Sequence, residues 1–291
     1  MKSLGSLMTK YEMNFLIKRF RKKKGVKDMK EVMLFTPGLD SFLANFILKN
    51  DNRNFDRVYF DLGCKYSDLE IMFLERIYEK GYVRIDGRVF LGDMELDNYY
   101  VPNRNLILCT LAQSVFNADV IYLNGVKCDR VSDNNLMFRK QTSRLLSRVS
   151  EKPIIVKSAL SSKEKYTWCE FYTNKVKNDF NKRMELVINT FSCFSDNRMD
   201  IFNTVDVFEY SQESDEYILK DEVRYPGCLN CDACFRKVCA LTGANLYIDI
   251  KDPDRFRKKF IPLITNNKYF KKRYPARTKS IKQYLAFLET P

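Results

Sequence analysis

Apolar residues along this chain occur first in short runs and then at helical spacing, and the two patterns alternate. Val32-Met33-Leu34-Phe35 is an apolar run that stops at Thr36-Pro37-Gly38-Leu39-Asp40-Ser41. The pattern predicts a strand over 31–36 and a helix over about 40–50. The same reading predicts strands at 57–62, near 88–91, at 119–124 and at 152–157, with helices at 67–80, 103–117, 134–149 and 161–176. Strands that alternate with helices imply an α/β fold with a parallel sheet, because a parallel pair needs a crossover connection and the crossover helices cover the sheet. In such sheets ligands sit beyond the carboxyl ends of the strands. The TPGLDS segment, Asp61-Leu62-Gly63, Asn124-Gly125 and Lys157-Ser158 all fall there.

After about residue 180 the pattern changes. Residues 196–222 are polar and acidic and read as a long inserted loop, a cysteine group follows, and the chain closes with basic and aromatic residues. The expected division is a basic N-terminal extension at 1–30, an α/β domain at 31–192, a cysteine-bearing lobe with its inserted loop at 193–250, and a basic aromatic extension at 251–291. A chain of 291 residues that is 45% hydrophobic is long enough to bury a substantial core. No apolar run reaches membrane-spanning length, and residues 1–30 lack a secretory apolar region, so a soluble cytoplasmic protein with no membrane partner is expected.

Charge and composition narrow the chemistry. The formal net charge is +13, with basic clusters at 18–24 and again in the tail. Nucleic acid or another polyanion is a natural partner for such a surface, although a lysine-rich solvated face has the same composition. The chain contains no histidine. Ser-His-Asp and Cys-His catalysis and imidazole metal ligation are therefore excluded, which leaves carboxylates, lysines, thiols, backbone dipoles or a cofactor.

Two segments carry candidate chemistry. TPGLDS reads as a strand end, a phosphate loop and a helix N-terminus. Gly38 lets the backbone approach an anion, and Asp40 or Ser41 is placed to cap a helix whose free N–H groups face it. The spacing is not that of the GxxxxGK[ST] loop. Among nine cysteines, Cys228, Cys231 and Cys234 stand two residues apart, a spacing suited to a tetrahedral metal. The fourth ligand is Cys193 or Cys239, and without histidine the site is a four-cysteine one, for zinc or for an iron–sulfur cluster.

Four segments in order resemble one family. TPGLDS resembles the SGGxDS loop of PP-loop ATP pyrophosphatases, and Tyr100-Val101-Pro102-Asn103-Arg104-Asn105-Leu106 with Leu111-Ala112 resembles the VPxRN and LA elements of 7-cyano-7-deazaguanine synthases. Asp119 to Asp129, DVIYLNGVKCD, resembles that family's strand and GxHxxD turn, and Thr190-Phe191-Ser192-Cys193-Phe194 resembles its T-W-S-C-Y element. The resemblance runs from about residue 31 to 241. It implies a PP-loop (adenine nucleotide alpha hydrolase-like) parallel sheet with flanking helices and a small zinc-binding helical lobe. It also implies an ATP-dependent carbon–nitrogen ligase of queuosine biosynthesis, which converts 7-carboxy-7-deazaguanine with ammonia to the nitrile, and a homodimer.

The residue roles follow from the same resemblance. Structural Zn²⁺ would sit on Cys193, Cys228, Cys231 and Cys234. ATP and Mg²⁺ would be held by Thr36, Gly38, Leu39, Asp40, Ser41, Arg104 and Asn105. Asp40, Ser41 and Lys163 would be catalytic, with Lys165 in reserve, and Lys127, Asp129 and Asp133 would face the substrate. The chain departs from the family at Pro37, which stands where a second glycine is expected, and at Lys127, which replaces a histidine. Cys64-Lys65-Tyr66-Ser67 replaces a Gln-Arg-His run, and 194–227 is longer than the family's loop. Two other readings accommodate these departures: adenylation of a macromolecule (tRNA, DNA or a protein end), or a non-catalytic scaffold.

Overall fold

The computed structural model describes residues 29–87, 91–97, 100–127, 132–193 and 202–290. Five strands, β1 (Glu31–Leu34), β2 (Asp56–Phe60), β3 (Arg84–Asp86), β4 (Val120–Tyr122) and β5 (Ile155–Lys157), form one sheet in the order β3-β2-β1-β4-β5. All neighbours are parallel, with Met33 opposite Arg57 on one side of β1 and Tyr122 on the other. The chain crosses over through α1 (Leu39–Asn50), α2 (Ser67–Ile77), α3 (Arg104–Phe116) and α4 (Leu136–Val149), and continues into α5 (Lys165–Lys175) and α6 (Phe180–Ile188).

The central strands β1 and β4 are almost wholly apolar because both faces of the sheet are covered there, whereas the edge strand β3, Arg84-Ile85-Asp86, is mostly charged and largely exposed. Their period of two divides the side chains. Val32, Leu34, Val58, Phe60, Ile121 and Val156 pack with Cys109, Ala112 and Phe116 of α3 and Leu146 of α4. Met33, Phe35, Tyr59, Val120 and Tyr122 pack with Leu43 of α1, Phe73 of α2, Trp168 of α5 and Val187 of α6. The expected α/β architecture is present, with local differences. β3 ends at Asp86, ahead of the expected 88–91, of which 88–90 lie outside the described residues. α5 starts at Lys165 rather than 161, because residues 161–163 form a turn that places the Leu160 carbonyl 2.9 Å from the Trp168 indole N–H.

The acidic stretch expected as a loop is instead largely a hairpin. β6 (Phe202–Ser211) and β7 (Glu216–Pro226) pair antiparallel over their whole length, and β8 (Tyr247–Ile248) adds to the other edge of β6. Val205 and Val207 turn into the core while Thr204 and Asp206 face water, the alternation of a one-sided sheet. Beyond the hairpin come α7 (Asp232–Leu241), α8 (Pro253–Thr265), α9 (Lys268–Arg273) and α10 (Pro275–Phe287).

The C-terminal helices share the core of the sheet. Phe256 on α8 is fully buried, with ring centroids 5.4 Å from Phe235 on α7 and 5.0 Å from Tyr284 on α10. The buried Glu164 carboxylate, just before α5, accepts the backbone N–H groups of Ala276 (3.3 Å) and Arg277 (2.9 Å) in the first turn of α10, where an anion is stabilised by the helix dipole. Among the described residues no helix is long and apolar enough to cross a membrane.

Phe256→Ala removes a fully buried ring and is expected to lower the unfolding free energy by about 3–5 kcal/mol. Urea unfolding checks this, and an unchanged midpoint would show that the tail helices do not contribute to the core.

Candidate functional site

A cleft of about 1250 Å³ opens where the strand order reverses, beyond the carboxyl ends of β1 and β4. Thr36, Gly38, Asp40 and Ser41 line it after β1, Asn124 after β4, and Arg104 and Asn105 at the start of α3. Asn124 spans the gap: its Nδ2 donates to the Leu34 carbonyl at 3.0 Å, and its buried Oδ1 has no partner.

The loop after β1 is held by hydroxyl groups. Neither Asp40 nor Ser41 caps α1, as the sequence leads one to expect, because Gly38 occupies the cap position. Ser41 Oγ instead reaches back to accept the Thr36 N–H at 3.1 Å. Gly38 N–H donates to Thr36 Oγ1 and Leu39 N–H to Ser192 Oγ, both at 3.4 Å. Those two bonds are long for N–H···O, so both donors can turn to a stronger acceptor such as an anion. Asp40 Oδ2 pairs with Lys165 Nζ at 2.9 Å, while Asp40 Oδ1 is buried without a hydrogen-bond partner. A carboxylate with one oxygen left over suits a cation.

Not every expected residue joins the cleft. Lys163 does not line it; its ammonium lies over the rings of Phe171 (4.8 Å) and Trp168 (5.2 Å). Lys165, two residues on, faces Asp40. Lys127 is exposed, and its N–H donates to the Lys163 carbonyl at 3.0 Å. Asp129 lies outside the described residues. Asp133 is buried behind α3, where Asn105 Nδ2 donates to its backbone carbonyl at 3.1 Å and both carboxylate oxygens lack hydrogen-bond partners.

Arg104 sits among anionic and phenolic groups. Its Nη1 donates to Tyr66 Oη at 3.2 Å. Burial works against its charge, but Tyr66, Asp133 and Glu70 outweigh burial and raise its pKa above the ordinary value. Glu70, in the first turn of α2, also lines the cleft and accepts the Tyr59 hydroxyl at 2.9 Å. Desolvation pushes its carboxyl up to about 7, against the lowering effects of the Tyr59 hydrogen bond and the Arg104 charge. Its position after β4 places Asn124 at the crevice, but the sequence assigns no site role to it or to Glu70, Tyr66 and Ser192. Glu70 lies ten residues beyond β2, inside α2, and carries no local signal.

The four-cysteine site is assembled from two distant segments. The Sγ atoms of Cys193, Cys228, Cys231 and Cys234 all lie within 4.8 Å of one another. Cys228 and Cys234 are 4.0 Å apart and Cys231 and Cys193 are 3.9 Å apart. A tetrahedral ion with bonds of about 2.3 Å holds its sulfurs about 3.8 Å apart, so the set can hold one metal ion and is compatible with zinc. Cys239, the other candidate, is buried outside the cluster. Backbone N–H groups point at the sulfurs: Cys228 N at Cys193 Sγ (3.4 Å), Asn230 N at Cys228 Sγ and Cys234 N at Cys231 Sγ (both 3.5 Å). They stabilise thiolates, as does the N-terminus of α7, where Cys231 is the capping residue. Gly227 makes room, because a Cβ there would stand 2.9 Å from Cys234 Sγ.

The metal site and the loop share a segment. Phe191 N–H donates to the Pro37 carbonyl at 2.8 Å, Ser192 Oγ accepts from Leu39, and the next residue is the ligand Cys193. Lys237 on α7 anchors that segment from beneath, donating to the carbonyls of Val187 (2.9 Å) and Thr190. Burial pushes the Lys237 ammonium down to about 7, opposed by the neighbouring Cys234 and Cys193. Comparison of the chain with protein-family models and with curated proteins found no match in either set.

Purified protein is expected to carry one tetrahedrally bound zinc per chain by plasma mass spectrometry. Serine at 193, 228, 231 or 234 should abolish stoichiometric binding and lower the thermal midpoint, whereas Cys239→Ser should retain the metal. Iron in place of zinc, or full occupancy in Cys193→Ser, would refute the assignment.

Glu70 makes stability depend on pH. The folded state keeps its proton above the ordinary value of 4.5 and up to about 7, so stability falls as pH rises through that window. Glu70→Gln removes this slope, and the variant should gain up to roughly 3 kcal/mol over the parent between about pH 5 and about pH 8. Urea unfolding at both pH values measures the difference; parallel pH profiles would refute it.

Proposed function

We propose that the cleft is the adenylating site of a PP-loop ATP pyrophosphatase and that the chain is an ATP-dependent carbon–nitrogen ligase resembling 7-cyano-7-deazaguanine synthase. The observation that carries this reading is the TPGLDS loop at the carboxyl end of the central strand, with Asp40 and Lys165 paired in the cleft and Ser192-Cys193 joining loop to cysteine site. Gly38 and Leu39 N–H would receive phosphate oxygens in exchange for their long bonds to hydroxyls. Asp40 has the unpartnered oxygen for Mg²⁺, and Lys165 is the cation adjacent to the charge that develops on the phosphates. Zinc on the four cysteines would be structural, holding the 190–193 segment under the loop.

The chemistry needs no histidine. A carboxylate oxygen of 7-carboxy-7-deazaguanine attacks the α-phosphorus of ATP, and pyrophosphate leaves with the electron pair of the broken P–O bond. Ammonia adds to the activated carbonyl, loses a proton and displaces AMP, which gives the amide. Activation of the amide oxygen by a second ATP, followed by loss of two protons and AMP, gives the nitrile. Arg104 is placed to bind an anionic group of nucleotide or acid, and Glu70, near neutrality, can accept from a ring N–H.

Incubation with ATP, Mg²⁺, ammonium and 7-carboxy-7-deazaguanine should release AMP and pyrophosphate and form the nitrile. Asp40→Ala and Lys165→Ala are each expected to reduce the rate by about 10²-fold or more, while Lys163→Ala stays near the parent. Absence of AMP and pyrophosphate, or equal loss in Lys163→Ala and Lys165→Ala, would overturn the reading.

A further inference from the structure

The wall that the C-terminal helices contribute to the cleft is basic. Lys251, Arg255, Lys259 and Arg277 line it. The acid among them, Asp232, is shared by Arg255 at 4.0 Å and Lys259, so one carboxylate faces two cations. Glu164 is occupied by the backbone N–H groups of α10, and the Lys251 ammonium has no partner among the described residues. At about 1250 Å³ the cleft exceeds the roughly 300–1,000 Å³ that encloses a small molecule.

The positive charge continues outward from this wall. α8 presents Arg255, Lys258 and Lys259 at the i, i+3, i+4 spacing that shares one helix face, and α9 repeats it with Lys268, Lys271 and Lys272. Lys258, Lys268 and Lys272 are exposed, with no partner among the described residues. Residues 251–290 hold twelve basic and three acidic side chains, a net nine of the formal +13. Tyr269 stands out of α9 beside these lysines, 62% exposed, with its hydroxyl accepting from Arg273, whose guanidinium lies 5.5 Å from the ring centroid.

We propose that this face binds single-stranded nucleic acid and leads a strand to the mouth of the cleft. Regularly spaced cations match a phosphodiester chain, whose repeated charge supplies most of the affinity. An exposed tyrosine is a stacking surface for an unpaired base, and bases within a duplex are not free to use it. A helix that seats in a membrane interface presents a contiguous set of apolar side chains to insert beside its cations. On α8 and α9 the large hydrophobics exposed among the described residues are Ile261 and Tyr269. The proposal stands apart from the adenylation reading, since binding needs neither ATP nor Mg²⁺.

The test uses the full chain, without ATP, and fluorescein-labelled twelve-nucleotide DNA and RNA strands in fluorescence anisotropy across a salt series. Contact with about four phosphates gives a slope of log affinity against log salt of about −3, from about −0.7 per contact. The double variant Lys258→Glu/Lys272→Glu, both exposed positions whose charge does not support the fold, should bind at least about tenfold more weakly with a flatter slope. Tyr269→Ala should weaken single-strand binding by about fivefold or more with the slope unchanged. Asp40→Ala should bind strands like the parent, so loss of adenylation and loss of strand binding are separable outcomes. No binding at about 50 mM salt, binding unchanged in the double variant, a duplex bound as tightly as the strand, or preference for phosphatidylserine vesicles over oligonucleotide would each overturn the proposal.

Discussion

The backbone N–H of Phe191 donates to the Pro37 carbonyl over 2.8 Å, and the geometry of the cleft hangs on that contact. Pro37 has no N–H of its own, so its carbonyl is the one backbone group through which it can bind a neighbouring segment. The segment it binds continues through Ser192, which accepts from the loop, to Cys193, whose sulfur accepts the Cys228 N–H. Loop and metal knuckle are therefore joined by three consecutive residues. Lys237 holds the chain just before this stretch, through the carbonyls of Val187 and Thr190.

The apolar core explains why this junction is rigid. One face of the sheet packs against α3, α4 and the segment after β2 (Leu62, Cys64 and Tyr66), but the other shares a single apolar cluster with α5, α6, the hairpin and the C-terminal helices. The cysteine knuckle is inside that cluster, with Phe235 and Val238 packed beside Cys234. Docking of the tail on α7 and of Glu164 on the tail closes the circuit, so the basic wall is carried by core helices and not by a loose extension.

The cleft has two electrical characters. Near β2 and α3, Glu70, Tyr59 and Tyr66 surround Arg104, and desolvation brings Glu70 close to neutrality. Near α7, α8 and α10 the groups are mainly cationic, in a setting where Asp40 and Asp232 are each already paired. Such a division suits a site that holds a polar heterocycle at one end and phosphates at the other.

The sequence by itself determined the alternation of strands and helices, because burial on both faces makes the central strands apolar runs and helical apolar spacing leaves its own period. It also marked three of the four clustered cysteines, since a two-residue gap turns successive thiols to one point. Other features were readable only in part: the alternation of Val205 and Val207 with Thr204 and Asp206 marks a strand, but the acidic composition around it masks the signal. The tertiary structure alone decided the rest. Cys239 is five residues beyond Cys234 on α7, about 140° around the helix, so it turns away from the cluster and leaves the fourth place to Cys193. Lys163 and Lys165 are indistinguishable as residues, yet one rests on aromatic rings and the other meets Asp40, because the turn before α5 points them to different neighbours. Glu70 becomes special only through the desolvation that distant segments impose on it. Local periodicity is written into neighbouring residues, whereas charge environment and ligand convergence depend on groups that folding brings together from far along the chain.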